Sequence, residues 1–393
     1  MNPERFVQPS GHLLQETAPD GHYWAFVPDP LPPRFEPTFK LMARLSEADR
    51  ALSQLAGLGM NLANPHLLIQ PFIRREAVLS SRIEGTRTDI ADLYAYQAQL
   101  TLPGMEAPPS DDTQEVVNYV NALEYGVQRL DTLPISKRFM RELHEQLMQG
   151  VRGQEKRPGE FRTTQNYIAG LGLSLQDARF VPPPPGYIQP ALDDLERYIH
   201  DDDPDVPPLI KIAFIHYQFE AVHPFEDGNG RIGRLLIPLL LVHWQLLPAP
   251  LLYLSAYFEQ HRDQYNDLLL AVSEQSTWHE WLLFFLQGVA EQAHDATIRA
   301  HKLQALERRW REELRAIHRT ATNVVRLMES LFITPIITVS QAQSALDISY
   351  PAANRSVSHL VKAGILEQVD DAAYNRLFVS RQIMDILTFR ESN

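Results

Sequence analysis

Cysteine is absent from all 393 residues. A disulfide framework, a thiolate nucleophile, a cysteine-ligated zinc and an iron–sulfur cluster are therefore excluded. Positive charge is also scarce: 36 Lys and Arg stand against 49 Asp and Glu, a formal net charge of -13 at pH 7. Sequence-independent phosphate binding needs a cationic excess, so a general nucleic-acid coat or a polybasic membrane binder is disfavoured. Long apolar runs are missing too. The most apolar, Leu235 to Val242, contains Pro238 and is followed by His243, far short of the roughly 20 residues of a membrane span. The start, MNPERFVQPSGHLLQ, lacks the apolar core of a secretory signal. A soluble, cytoplasmic protein is expected.

What is present is an ordinary globular balance, 44% hydrophobic and 22% charged, over a length that suggests two or three domains. Residues 1–36 are rich in proline and aromatics without a clear period, and are expected to wrap a surface rather than form elements. From about Thr38 to Leu100 the spacing of Leu41, Leu45, Leu52, Leu55, Ile73, Val78, Leu79 and Ile83 is helical. A Pro/Gly-rich seam at 101–111 precedes helices over 113–130 and 136–148. The stretch from Gly150 to Pro185 reads as a hairpin around Gly170 and Gly172. Helices resume near 190–200, 207–222, 231–246 and, with breaks, 256–318; the charged stretch from Glu291 to Arg319 reads partly as a connector. After Thr320 come a helix over 322–332, a short helix to Leu346 capped by Ser340, and a helix from Pro351 stopped by Gly364. Two β-like runs, ILEQV and RLFVS, follow. That is the order of a winged helix-turn-helix. The chain thus divides into an N-terminal helical region (1–110), a core (111–300), a connector (301–320) and a winged-helix-like unit (321–393).

The stretch carrying chemistry is HPFEDGNGRIGR, from His223 to Arg234. Pro224 ends the preceding apolar helix. Gly228 and Gly230 permit a backbone nest whose amides converge on an anion at the start of the next helix. Arg231 and Arg234 stand on its first turns, where cations oppose the macrodipole by roughly 0.3–1 kcal/mol each. An anion such as a polyphosphate between them reconciles that placement. Asp227 offers a hard oxygen for Mg²⁺, and His223 can take a proton from a hydroxyl at neutral pH. Each part alone reads more simply as a capped histidine, a turn or a solvated arginine face; twelve residues together do not.

This stretch resembles the signature of the Fic-domain family at every fixed position. LHEQLMQGVRG, RPGEFR, TQNYI, ARFVPPPP and PLLYLSAYFEQHRDQY extend the similarity over about residues 40–300. The resemblance implies a mainly α fold: a Fic helical core with a β-hairpin flap. It implies transfer of AMP from ATP to a Ser, Thr or Tyr hydroxyl of a target protein or of the chain itself. On that mapping His223 is the base, Asp227 holds Mg²⁺, Gly228, Asn229, Gly230 and Arg231 cradle phosphates, and Arg234 pairs with the γ-phosphate. Doc-like kinases carry Lys where this chain has Gly230, which favours adenylyl transfer. The flap between Phe161 and Val181, with Thr163, Thr164, Gln165 and Asn166, would align a target segment by strand addition, or is an ordinary protecting hairpin. Tyr253, Tyr257 and Tyr265 line the adenine pocket or pack the core.

Ser80 and Glu84 lie four residues apart on one helix face before Gly85. They resemble the family's inhibitory motif, in which the glutamate pairs with the second arginine of the signature and withholds it from the γ-phosphate. In some relatives that glutamate also assists removal of AMP. The tail offers a rival function, a DNA-binding regulator reading through Asn354, Arg355, Ser356, Ser358, His359 and Lys362. From Thr320 onward, however, six basic residues face seven acidic ones, and DNA binders show a basic excess. Protein docking or homodimerisation through the tail is favoured over DNA.

Overall fold

The computed structural model describes residues 1–18, 21–60, 66–99, 110–151, 155–168, 174–317, 322–369 and 376–388. The N-terminal stretch does form elements, contrary to the sequence expectation. Strands β1 (Gly11–Ala18) and β2 (Gly21–Pro28) pair antiparallel from Gly11↔Pro28 to Ala18↔Gly21. Ala25, Phe26 and Val27 of β2 are buried, so burial of β2 rather than strict alternation carries the hairpin. Gly11 is required at its end, because a Cβ there would meet the Val27 carbonyl oxygen at 2.1 Å.

The expected N-terminal helices are α1 (Phe39–Met60), α2 (His66–Ile83) and α3 (Ile90–Gln99). Helices α4 (Asp111–Arg129) and α5 (Lys137–Leu147) start at Ser110 and Ser136, whose hydroxyls accept the N3 amide of each helix. The seam at 101–109 lies outside the described residues. Among the described residues the expected hairpin at 150–185 shows one antiparallel bridge, Ile168↔Phe180; its Gly170 and Gly172 lie outside the described residues.

Helices α6 (Pro185–His200), α7 (Pro208–Val222) and α8 (Asn229–His243) follow. Helix α7 is mostly apolar and buried on every side; only Pro208 and Glu220 escape full burial. Such a helix belongs at the centre of the core, and it delivers His223 at its C-terminal end. Helix α9 (Ser255–Gln260) packs chiefly on α2, and α10 (Arg262–Gln275) packs beside α7.

Helix α11 runs unbroken for 40 residues, Trp278–Ile317, so one helix crosses position 300. The supposed connector also carries an apolar stripe: Ala293, Ala296, Ala300, Leu303, Trp310 and Leu314 are buried. Its lower half packs on the C-terminal unit, where Trp310 meets Phe332 with ring centroids 5.6 Å apart. That unit comprises α12 (Thr322–Ser330), β3 (Ile336–Thr338), α13 (Val339–Leu346), α14 (Tyr350–Lys362), β4 (Glu367–Gln368), β5 (Leu377–Val379) and α15 (Arg381–Thr388). Its sheet order is β3-β5-β4. Thr338, not Ser340, caps α13, through a capping box with Gln341. Asp370, Asp371, Asn375, Arg390 and Glu391 lie outside the described residues.

Candidate active site

His223 is the C-cap of α7 with φ +48° and ψ +60°. A non-glycine residue in this left-handed conformation costs about 1–2 kcal/mol, and here it turns the chain sharply into the loop before α8. The imidazole Nδ1 donates to the Glu220 carbonyl at 3.3 Å, leaving Nε2 as the basic nitrogen. Burial, with Arg162 second, lowers its pKa to about 4, so the ring is uncharged at neutral pH.

The loop is closed by Asn229, whose Oδ1 accepts from Phe225 N at 2.8 Å and whose Nδ2 donates to Phe225 O at 2.9 Å. Its side chain is buried and held in this staple. Gly228, at φ +74°, is the N-cap of α8; a Cβ there would meet Met148 Sδ at 3.1 Å. Behind the loop, His144 accepts from Gly159 N at 2.9 Å and donates through Nε2 to Asp227 O at 3.0 Å. Its ring stacks on Phe225 at 3.9 Å. Burial lowers its pKa to about 4, so this positioning histidine stays neutral.

Asp227 directs a 36%-exposed carboxylate outward, with Lys156 Nζ at 3.6 Å and Arg231 Nη2 at 3.7 Å. Among the described residues no group of three or more His, Cys, Asp or Glu side chains forms a metal cage. One carboxylate beside an anion cradle fits Mg²⁺, which is commonly held by one or two carboxylates and substrate phosphates. Arg231 is buried against Glu115 at 3.2 Å, while its buried Nε has no hydrogen-bond partner.

Arg234 donates Nε to Ser80 Oγ at 2.8 Å, and Nη2 to Ser80 O at 3.1 Å and Glu84 Oε1 at 2.6 Å. Both expected inhibitory residues therefore meet the expected arginine. Burial alone would raise the Glu84 carboxyl, but Arg234, Arg231 and His223 outweigh it and hold it below its ordinary range. A cavity of about 520 Å³ opens here, lined among others by Glu84, Glu220, His223, Gly230, Arg234 and Tyr265. That is within the size of small-ligand sites.

The two tyrosines assigned to an adenine pocket part company. Tyr265 lines the cavity, and its hydroxyl donates to His216 Nε2 at 2.8 Å while His216 Nδ1 donates to Gly233 O at 3.1 Å. Tyr257 does not line it: its ring packs on Phe284 at 4.8 Å and on Gly288, where a Cβ would meet it at 2.7 Å. Tyr253 likewise donates to Pro250 O in the core.

Flap residues are bound to the loop. Asn166 Nδ2 donates to Phe225 O at 2.9 Å, Gln165 Nε2 to Pro182 O at 2.9 Å, and Thr164 Oγ1 to Glu226 Oε1 at 3.4 Å. Thr163 accepts from Arg157 at 3.2 Å. The N-terminal hairpin buttresses this segment: Phe26 N donates to Val181 O at 2.9 Å, and Tyr23 hydroxyl to Gln165 Oε1 at 3.4 Å.

Two acids escaped the sequence reading. Glu220 lines the cavity, with a buried Oε1 that has no partner and a pKa pushed up to about 7 by burial, despite Arg234. Its spacing three residues before His223 was the available signal. Glu76, two turns before Glu84 on α2, is buried and accepts from the Tyr119 hydroxyl at 3.0 Å, from Ser255 N at 3.3 Å and from the Ser255 hydroxyl at 2.5 Å. In the C-terminal unit, Ser356 and Ser358 donate back to α14 carbonyls and Asn354 accepts from Arg376 at 2.6 Å; Arg355 and Lys362 remain exposed.

Fold and site together define a helical protein in which a histidine-tipped helix end, a glycine loop and an arginine–carboxylate pair border one cavity. The Fic/DOC family N-terminal model matches residues 42–128 and the Fic/DOC family model residues 134–241. The chain belongs to that family. It is 27% identical over 242 residues, 60% of its length, to "Protein adenylyltransferase Fic" of Culex quinquefasciatus. It is 30% identical over 194 residues, 49% of its length, to the protein of the same name from Drosophila grimshawi. The chain spans 43% and 36% of those relatives. A Fic family protein from Desulfovibrio desulfuricans G20 shares the fold, with a TM-score of 0.57 at 20% identity over 89% of this chain and 98% of that one. Fic-1 (aa134 - 508) from C. elegans shares it with a TM-score of 0.51 at 19% identity, over 68% and 74%. Among the described residues no helix is long and apolar enough to cross a membrane.

Proposed function

We propose that this chain is a protein adenylyltransferase that moves AMP from ATP to a hydroxyl of a protein, itself included, and is restrained by Glu84. The observation that carries this reading is the single cavity edge shared by the His223 imidazole, the α8 N-terminus and the Arg234–Glu84 pair.

His223 Nε2 takes the proton of a target hydroxyl, work typically worth about 10²–10⁴-fold in rate. The hydroxyl oxygen then forms its bond to the α-phosphorus as the bond to the pyrophosphate oxygen breaks. The opening amides of α8 and the Arg231 and Arg234 guanidinium groups face the charge that moves onto the phosphates. Asp227 is the residue to hold Mg²⁺, which when bound neutralises phosphate charge. Gly230 keeps the cradle open: a Cβ there would meet Arg234 Nη1 at 2.9 Å. With Glu84 engaged, one Nη2 donor of Arg234 is withheld from a γ-phosphate.

The test is transfer from α-³²P-labelled ATP by the Glu84→Gly protein. Labelling of protein that disappears in the His223→Ala, Glu84→Gly double variant supports the reading. Nucleotide binding without His223-dependent labelling of the chain or of any lysate protein overturns it.

A further inference from the structure

We propose that Arg162 is a positioning residue for this transfer: it fixes the backbone turn that aims the His223 imidazole and ties that turn to both arms of the flap. The proposal rests on the functional reading above, but one arm of its test does not.

Arg162 is 3% exposed, and among the described residues it pairs with no carboxylate. Its guanidinium donates only to main-chain carbonyls: Nε to His223 O at 2.8 Å, Nη1 to Thr164 O at 3.2 Å, and Nη2 to Pro183 O at 2.6 Å and Val222 O at 3.4 Å. Its own amide donates to Pro224 O at 2.9 Å. A buried arginine without an acid is unusual. Here the explanation is geometric. The last carbonyls of α7 have no helical partner, a cation is favoured at that end, and His223 needs an outside hold in its left-handed conformation.

The same fork reaches the outgoing arm of the flap at Thr164 and the returning arm at Pro183, so three segments share one planar group. Lysine cannot reproduce this, because its donors radiate from a single nitrogen. The charged groups around His223 are Arg162, Glu84 just past the end of α2, Glu220 on α7, Asp227 in the loop and Arg234 on α8. Of these Arg162 lowers the imidazole pKa while Glu84 and Asp227 raise it.

The experiment uses the full chain in the Glu84→Gly background, with Arg162→Lys and Arg162→Gln. Misaligned catalytic groups lose roughly 10²-fold, so kcat should fall by about that factor in both variants, with ATP affinity by calorimetry changing less than about threefold. The second arm follows carbethoxylation of His223 by diethyl pyrocarbonate against pH, mapped by mass spectrometry, and needs no transfer activity. Its midpoint should move to higher pH in Arg162→Gln, which removes the charge, and stay near the parent in Arg162→Lys. Equal loss of kcat and ATP affinity, unchanged kcat, or an unmoved midpoint in Arg162→Gln overturns the proposal. Unfolding of both variants by circular dichroism also overturns it, since the residue would then serve stability alone.

Discussion

Glu84 reaches Arg234 directly over Gly230: an alanine Cβ at residue 230 would fall 2.4 Å from Glu84 Oε1. The Glu84–Arg234 contact therefore occupies the space that the absent side chain leaves. A charge-assisted hydrogen bond contributes about 1.5–3 kcal/mol. Glu84→Gly should tighten ATP by roughly ten- to a hundredfold for that reason, read by calorimetry. In the same background Gly230→Ala should weaken ATP again, because the Cβ still crowds Arg234. An unchanged affinity in Glu84→Gly would remove the basis for restraint.

Glu220 should leave its mark on stability against pH. Its folded pKa, about 7, lies above the ordinary 4.5 because of burial. The folded state then holds more protons than the unfolded one between those values, so stability is full below 4.5 and is lost as pH rises through about 7. Glu220→Gln removes that slope. The melting temperature of the parent, relative to Glu220→Gln, should fall between pH 5 and pH 8, by at most about 4 °C for a chain of this size; parallel curves would reject the assignment.

Glu76 anchors α2, the helix that ends just before Glu84. Glu76→Ala would orphan the buried Tyr119 and Ser255 donors, at about 1–3 kcal/mol each. Thermal melting should show the loss, and self-labelling should rise as α2 loosens from α9. Glu76→Gln, which keeps an acceptor, should do less of both. Equal behaviour of the two variants would count against the anchor.

Asn229 closes the loop through both polar groups of Phe225. Asn229→Asp keeps the acceptor and loses the donor; Asn229→Ala loses both. Transfer should decline in that order, with the alanine variant also less stable by about 1–3 kcal/mol in urea titration. If Asn229→Ala were the more active of the two, the staple would not be what shapes the cradle.

The twelve-residue stretch was legible because its elements are local: a proline stop, two glycines and arginines three apart define a loop and a helix start. Glu84 needed a second, distant stretch to make sense, since nothing in SSRIEG says which cation it faces. Glu76 and Glu220 were invisible for the opposite reason. Each is one polar residue among several in its helix, Glu76 after Arg74 and Arg75 and Glu220 after His216 and Gln218, and only packing reveals whether such a residue meets water, a partner or a cavity. The N-terminal hairpin was lost to its proline-rich surroundings, although Pro19-Asp20-Gly21 between two apolar runs is a turn signal. Tyr257 and Tyr265 are eight residues apart in a helical stretch, yet one faces the cavity and the other Gly288, because α9 ends at Gln260 and α10 begins a new axis. The stretch after Glu291 reads as polar because a long helix with one narrow buried stripe shows mostly its wet sides.

Helix α11 spans about 60 Å at 1.5 Å per residue. Near its start, Trp281 lies against the His216 ring, 5.9 Å between centroids. Midway, Asp295 is 3.4 Å from Arg75 of α2, and beyond it Trp310 meets the C-terminal unit. One rod is thus gripped at three places, and it joins the C-terminal unit to α2, the helix that ends just before Glu84.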